Sequence, residues 1–208
     1  MKISVALPTR GLVFARTLKS LKNNNINLDL VFTISGLPIP DCHNEAVRIA
    51  LRANTDWILL LEDDIELPKG VIKAMLKTDG DIIYCDYPMD NGSSTVCQVK
   101  NKVYWGGLGC TLIKKEVFKK IGEPYFTCNY SWRIERNFKL TKVKNPNKYG
   151  GHDINFGMEA QRLGFKLVKV KVFEAKHLRC QNLTKPMNNK GIFKIQSLER
   201  INIIKIIN

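Results

Sequence analysis

An α/β fold, a single Rossmann-like domain with a mostly parallel central sheet flanked by helices, is what the sequence predicts. Strand-like apolar runs alternate with segments of helical spacing through residues 1–90, the alternation of a parallel sheet crossed by helices. One run, WILLL at 57–61, has no polar position, as a strand buried on both faces requires. It leads directly into the acids Glu62, Asp63 and Asp64, which must then emerge at the strand's carboxyl end, where ligands bind in such sheets.

The elements follow in order. Lys2–Leu7 reads as the first strand and stops at Pro8, and Phe14, Leu18 and Leu21 then recur at helical spacing. LDLVFTIS (28–35) is a second strand closed by Gly36 and two prolines; Asp41 is placed to cap a helix whose apolar face is Ala46, Val47, Ala50 and Ala53. After the WILLL strand, Pro68 opens another helix (PKGVIKAMLK), and DIIYCDYP returns to strand. The second half is less regular. YWGGLGCTL precedes a helical KKEVFKKIG, and 123–150, mixing basic, Asn and aromatic residues without a clean period, is expected to be a functional loop. INFGMEAQRLG resumes helical spacing with Gly164 as its cap, KLVKVKVFEA alternates as a strand, and the tail FKIQSLERINIIKIIN is expected to be an amphipathic helix that closes the fold or lies on a membrane surface. The domain is bounded at 1–180, with halves at 1–90 and 91–180 and the tail at 181–208.

With 208 residues and ordinary globular composition, the chain has room for one core. No apolar stretch approaches the roughly 20 residues that span a bilayer, and the apolar run before Pro8 is too short for a signal peptide, so a soluble protein is expected. Six cysteines without a CxxC pair support neither a zinc ribbon nor a thioredoxin-type site and point to a reducing cytoplasm, with disulfides left open. The net charge of +14 admits a nucleic-acid surface, an anionic membrane surface or an anionic small-molecule substrate; coding bias is an equally good source of much of it. Neither GxGxxG nor GxxxxGK[ST] occurs, so a bound diphosphate would need a metal ion or a basic cluster to neutralise it.

Pro8-Thr9-Arg10, HNEAVRIALRANTDWILLLEDDIELPKG, WGGLGCTLIKKEVFKKIG, GHDINFGMEAQRLGFKLV and the His177 of EAKHLR stand in the order found in GT-A glycosyltransferases, and residues 1–180 resemble the family 2-like members of that group. The resemblance implies a metal-dependent, hexosyltransferase-like enzyme moving a sugar from a nucleoside-diphosphate sugar to an acceptor hydroxyl, with 1–90 as its nucleotide-sugar-binding half and 91–180 as its acceptor-side half; inversion is the expected outcome, and retention also occurs on the fold. Glu62-Asp63-Asp64 would be a variant DxD motif, with Asp64 on a divalent metal and Glu62 and Asp63 contacting the ribose or a metal-bound water. Carboxylates suit Mn²⁺ or Mg²⁺, and His177 as a further ligand would favour Mn²⁺. Asp153 would be the general base; His152 stands where the family commonly has Glu. Pro8, Thr9, Arg10 and Asn44 would contact the nucleotide, His43 stands where Arg is more usual, and Arg48 could reach a phosphate. Trp105, Gly106 and Gly107 would line the donor-sugar pocket.

Each residue also has a plainer reading: acids ahead of a helix for 62–64, an N-cap for Asp153, packing for Trp105 and His177. Two other classes fit the same sequence, a basic nucleic-acid-binding protein and a non-catalytic nucleotide-sugar-binding domain. The acceptor, whether protein, lipid, glycan or nucleic acid, is open, as are peripheral contact with an anionic membrane and a homo-oligomer completing the acceptor side.

Overall fold

The computed structural model describes residues 1–9, 11–89, 91–135, 140–145 and 150–178, together with two short tail strands. In chain order the first half contains β1 (Ile3–Pro8), β2 (Leu12–Phe14), α1 (Ala15–Asn23), β3 (Leu30–Ile34), α2 (Asp41–Arg52), β4 (Trp57–Leu61), β5 (Ile65–Glu66), α3 (Val71–Lys77) and β6 (Ile82–Asp86). The second half contains β7 (Val96–Val99), β8 (Lys102–Gly106), β9 (Cys110–Lys114), α4 (Lys115–Ile121), β10 (Tyr130–Ile134), β11 (Leu140–Lys144), α5 (His152–Arg162), β12 (Leu167–Glu174) and β13 (Lys176–His177), with β14 (Ile192–Lys194) and β15 (Ile201–Ile203) in the tail.

The central sheet has seven strands in the order β12-β6-β9-β4-β1-β3-β15. β12, β6, β4, β1 and β3 run one way, and β9 and β15 run against them, so the sheet is mostly parallel as expected. Alternation along the central strands builds a core on each face. Ile3, Val5 and Leu7 of β1 and Leu59 and Leu61 of β4 pack with Leu21 of α1 and Val71, Ile72 and Met75 of α3. Ala6, Ile58 and Leu60 face the other way, onto Ala46, Val47 and Ala50 of α2, Phe118 of α4 and Phe156 of α5. Phe156 lies between aromatic partners, its ring centroid 5.4 Å from Phe118 and 4.9 Å from Phe126.

Several local expectations need correction. Asp41 is the first residue of α2, after Pro40, and makes no side-chain cap; its carboxylate sits in the first turn, where the helix dipole favours it. α3 starts at Val71, later than Pro68, because Gly70 takes a left-handed φ of 81° at the cap. Residues 123–150 are more than a loop: β10 and β11 pair antiparallel within them, Tyr130 opposite Lys144. The expected tail helix is replaced, in its described part, by strands. β14 pairs with β2, and β15 adds antiparallel to the edge of β3, Ile203 opposite Phe32. β-Branched isoleucines favour pairing with an open sheet edge over an isolated helix. Lys194 is therefore in a strand, and Arg200 and Lys205 lie outside the described residues. Gly164 does close α5: its φ is 89°, its N–H donates to Gln161 O and that of Phe165 to Ala160 O, a Schellman arrangement. Among the described residues no helix is long and apolar enough to cross a membrane, and Cys42, Cys85, Cys97, Cys110 and Cys128 are free thiols; Cys180 lies outside them.

α5 is held on β8 by Gln161, whose Nε2 donates to Tyr104 O at 2.6 Å, and by Gly157, where a Cβ would come within 2.8 Å of Trp105 Cβ and 2.9 Å of Trp105 Cα. Two of the atoms that a methyl group would meet, Trp105 Cα and Tyr104 O, are main chain and cannot swing aside. Gly157→Ala should therefore lower stability by about 1–2 kcal/mol, overpacking against unyielding main chain costing about 2–3 kcal/mol, the upper part of its usual range, and outweighing a helix-propensity gain of about 1 kcal/mol. A thermal melt should show a midpoint about 2–8 °C below the parent's; an equal or higher midpoint would disprove the close approach.

Candidate active site

Because β4 is apolar to its last residue, its acids emerge together at the sheet's edge, and neighbouring segments fix each one. The Glu62 N–H donates to Gly109 O at 3.0 Å, tying it to the loop ahead of β9. Asp63 is anchored at both ends: its carbonyl accepts from the Phe14 N–H (2.9 Å) and the Thr17 hydroxyl (3.0 Å), and its Oδ2 lies 2.8 Å from Thr9 Oγ1. Thr9 stands just past β1, where its N–H donates to Ile34 O at 2.8 Å. The three carboxyl ends of β1, β3 and β4 thus meet as the sheet rule anticipates.

His177 reaches this point through a two-residue pairing. β13 runs antiparallel to β5 with His177 opposite Ile65, and the Leu178 N–H donates to Asp64 O at 2.8 Å. This register brings His177 Nε2 to 3.2 Å from Asp64 Oδ2. Asp63 and Asp64 are both buried. Burial, reinforced chiefly by the charge of Asp64, pushes the Glu62 carboxyl up to about 7.

Two cavities meet at Glu62 and His177. One, of about 390 Å³, is walled by Pro8, Thr9, Leu37, Pro38, Ile39, Cys42 and His43 and floored by the acids. The other, of about 570 Å³, is bounded by Tyr87, Ser94, Thr95, Trp105, Gly107 and Asp153. Asp153 enters from the first turn of α5, which starts after Gly151 at φ 72°. Pro8, Thr9, Glu62, Asp63, Asp64, Trp105, Gly107, Asp153 and His177 are thereby gathered around one crevice.

Other expected residues are placed differently. Asn44 is buried in α2 and spends its amide on Phe126, Nδ2 donating to the Phe126 carbonyl (3.0 Å) and Oδ1 accepting its N–H (2.9 Å). It clasps the segment before β10, away from both cavities. Arg48 is paired with Glu45 and Glu123, so its charge is already answered. Gly106 underlies the site without lining it: a Cβ there would be 2.5 Å from the Tyr84 ring. Arg10 lies outside the described residues. Tyr87 and Gly109, in turn, were not foreseen. The Tyr87 hydroxyl accepts the Gly109 N–H at 3.0 Å, and a Cβ at Gly107 or Gly109 would lie 2.4 or 2.6 Å from that hydroxyl. The glycine-rich run after Trp105 held the signal for such a close approach, but the sequence does not name its partner.

No protein-family model matches the chain, and no characterised protein is significantly similar to it in sequence. Solved structures are similar in fold. The A197 protein of STIV superposes with a TM-score of 0.62 at 17% identity, over 85% of each chain. A mannosyltransferase from Pyrobaculum calidifontis, solved with GDP-Man and Mn²⁺, gives 0.54 at 13% identity over 85% of this chain and 56% of its own, so the chain spans little more than half its length. Drosophila β-1,4-galactosyltransferase 7, a mutant solved with manganese, UDP-Gal and xylobiose, gives 0.52 at 13% identity over 91% and 77%. The fold is GT-A-like.

Two histidines lie side by side, His43 buried at the wall of the smaller cavity and His152 half-buried. Burial, helped by His152, holds His43 down to about 3, and burial also lowers His152 against the opposing pull of Asp153. Their ring centroids are 5.1 Å apart, with Phe126 against both. Both are neutral in the folded protein, whereas an unfolded histidine takes up a proton near pH 6.5. The unfolded chain therefore binds more protons below that pH, and stability falls with acidification by at most about 1.4 kcal/mol per pH unit for each histidine. Urea midpoints measured from pH 6.5 to 5 should drop for the parent and drop less for His43→Gln; parallel slopes would remove His43 as the cause.

Proposed function

We propose that the protein is a metal-dependent glycosyltransferase that moves a sugar from a nucleoside-diphosphate sugar to an acceptor hydroxyl with inversion. The observation that carries this reading is the Asp64–His177 pair at the junction of two cavities, with Asp153 facing the larger one.

The donor chemistry fits a divalent cation brought in with its ligand. A carboxylate oxygen and an imidazole nitrogen 3.2 Å apart suit Mn²⁺ better than Mg²⁺. Among the described residues no cluster of three or more His, Cys, Asp or Glu could hold a metal, so the remaining ligands would be diphosphate oxygens and water, the usual way such ions sit with phosphates. The bound cation would neutralise the diphosphate as it leaves. Asp64 and His177 would hold it, and Glu62, crowded by neighbouring acids, would ionise more readily beside it.

Thr9 and Asp63 would orient the nucleotide in the smaller cavity, whose Leu37, Pro38 and Ile39 wall suits a flat base. Trp105 and Gly107 would border the sugar. Asp153 would take the proton from the acceptor hydroxyl as it attacks the anomeric carbon opposite the diphosphate. The nucleic-acid alternative finds less support, because Lys142 Nζ, 3.5 Å from the Tyr130 ring centroid, already covers one of the aromatic faces that a base would stack on.

Thermal shift with Mn²⁺ alone, UDP or GDP alone and both together tests the metal role. The pair should stabilise the parent by about 5–10 °C at 100-fold excess over Kd, and Asp64→Asn should abolish the metal-dependent part. Full metal-dependent stabilisation in that variant would overturn the assignment. Asp153→Asn should lower turnover of UDP- and GDP-sugars, read as hydrolysis if no acceptor is supplied, by roughly 10²–10⁴-fold with donor affinity nearly unchanged. Parental turnover would exclude Asp153 as the base.

A further inference from the structure

The larger cavity has a wall that the proposed chemistry leaves unexplained. Ser94 and Thr95 line it together with Trp105, and both hydroxyls are engaged by Asp86 at the end of β6. Ser94 Oγ donates to Asp86 Oδ2 at 2.6 Å; the Thr95 N–H and hydroxyl donate to Oδ1 at 3.0 and 3.1 Å. Lys169 of β12 lies 3.2 Å from Oδ2 and answers the charge. Burial alone would raise the Asp86 carboxyl, but the hydrogen bonds from Ser94 and Lys169 outweigh it and hold it below the usual carboxylate range, so it stays ionised and only accepts.

An ionised carboxylate fixes the direction of these hydrogen bonds. A hydroxyl has one proton, and here Asp86 takes both; the Ser94 oxygen already accepts the Val96 N–H at 3.0 Å and the Thr95 oxygen the Tyr87 N–H at 3.4 Å, so each can offer the cavity only its one remaining lone pair. Such a wall accepts hydrogen bonds from a ligand that donates them, as sugar hydroxyls do, in the cavity that Trp105 also lines. The same residue also steadies His177, because the Asp86 carbonyl accepts the Ala175 N–H at 2.8 Å just before β13.

Resting on the glycosyltransferase reading, we infer that Asp86 is a positioning residue for the donor sugar: it turns the Ser94 and Thr95 hydroxyls into acceptors on the cavity wall they share with Trp105 and so selects a polyhydroxylated group there. It touches no substrate itself and acts through those two side chains. An amide in its place would donate to one of the hydroxyls and reverse that polarity without emptying the space.

The test compares Kd values for UDP and GDP with those for UDP-glucose and GDP-mannose, all with Mn²⁺, in the parent, Asp86→Asn and Thr95→Val. Both variants should weaken the nucleotide sugar by about tenfold, the equivalent of one lost hydrogen bond, and leave the nucleoside diphosphate within about twofold, since the smaller cavity is untouched. Thr95→Val keeps the question open to an answer if Asp86→Asn does not fold. Equal weakening of nucleotide and nucleotide sugar would reduce Asp86 to a structural tether and overturn the inference, as would unchanged binding of both. A parent protein that binds neither would instead overturn the glycosyltransferase reading on which the inference rests.

Discussion

Burial of Trp57–Leu61 on both faces of the sheet is the constraint on which the rest of the molecule depends. β4 lies between β1 and β9, and none of its side chains reaches water to any useful extent. Such a strand cannot hold a charge along its length, so polar residues must collect where it ends. Three acids collected at one strand end repel one another, and burial, with the charge of Asp64 added to it, raises the Glu62 carboxyl to about 7. The neighbours that quiet this repulsion, the Thr9 hydroxyl against Asp63 and the His177 imidazole against Asp64, are brought by the strands on either side and by β13. The basic balance of the chain and its acidic centre are therefore compatible: the acids can hold a cation, and that cation can address an anion.

How much of this was legible in the sequence follows from which interactions are local. Strands buried on both sides leave uninterrupted apolar runs, and β1, β3, β4 and β6 could be read directly with nearly correct ends. Helices with a clear apolar face, α2 and α5 among them, were equally visible. Hairpin β10–β11 was not, although Tyr130, Trp132 and Ile134 alternate with polar residues, because basic and Asn residues around it mimic a loop. The tail shows the opposite error, where isoleucine spacing satisfied a helical period while β-branching favoured strand.

The site divides along the same line. Asp63 and Asp64 were legible because they follow a strand of known type. The meeting of His177 with Asp64 depends on a pairing of two residues with two, and no local pattern encodes a contact across so long a stretch of chain. Asn44 illustrates the converse: its position in the helix was correct, but a buried amide must satisfy both its ends, and the Phe126 main chain takes both. Tyr87 came to light only once the glycines beside it had partners, since a glycine announces close approach without saying to what.

The two cavities differ in a way that bears on what could fill them together. The smaller presents Leu37, Pro38 and Ile39, an apolar wall suited to a flat ring. The larger is lined by Trp105 and by the oxygen acceptors of Ser94 and Thr95, and Asp153 borders it. Between them stand Glu62 and His177, with Asp64 at the edge of the smaller one, a junction hospitable to an anion only when a cation accompanies it. A ligand filling both must be apolar and flat at one end, strongly anionic in the middle and rich in hydroxyls at the other. A nucleoside-diphosphate sugar has that order of parts. A single-stranded nucleic acid repeats base and phosphate without the terminal polyol, and a lipid lacks the flat ring. The order of environments along the crevice, more than any single residue, thus favours the donor proposed.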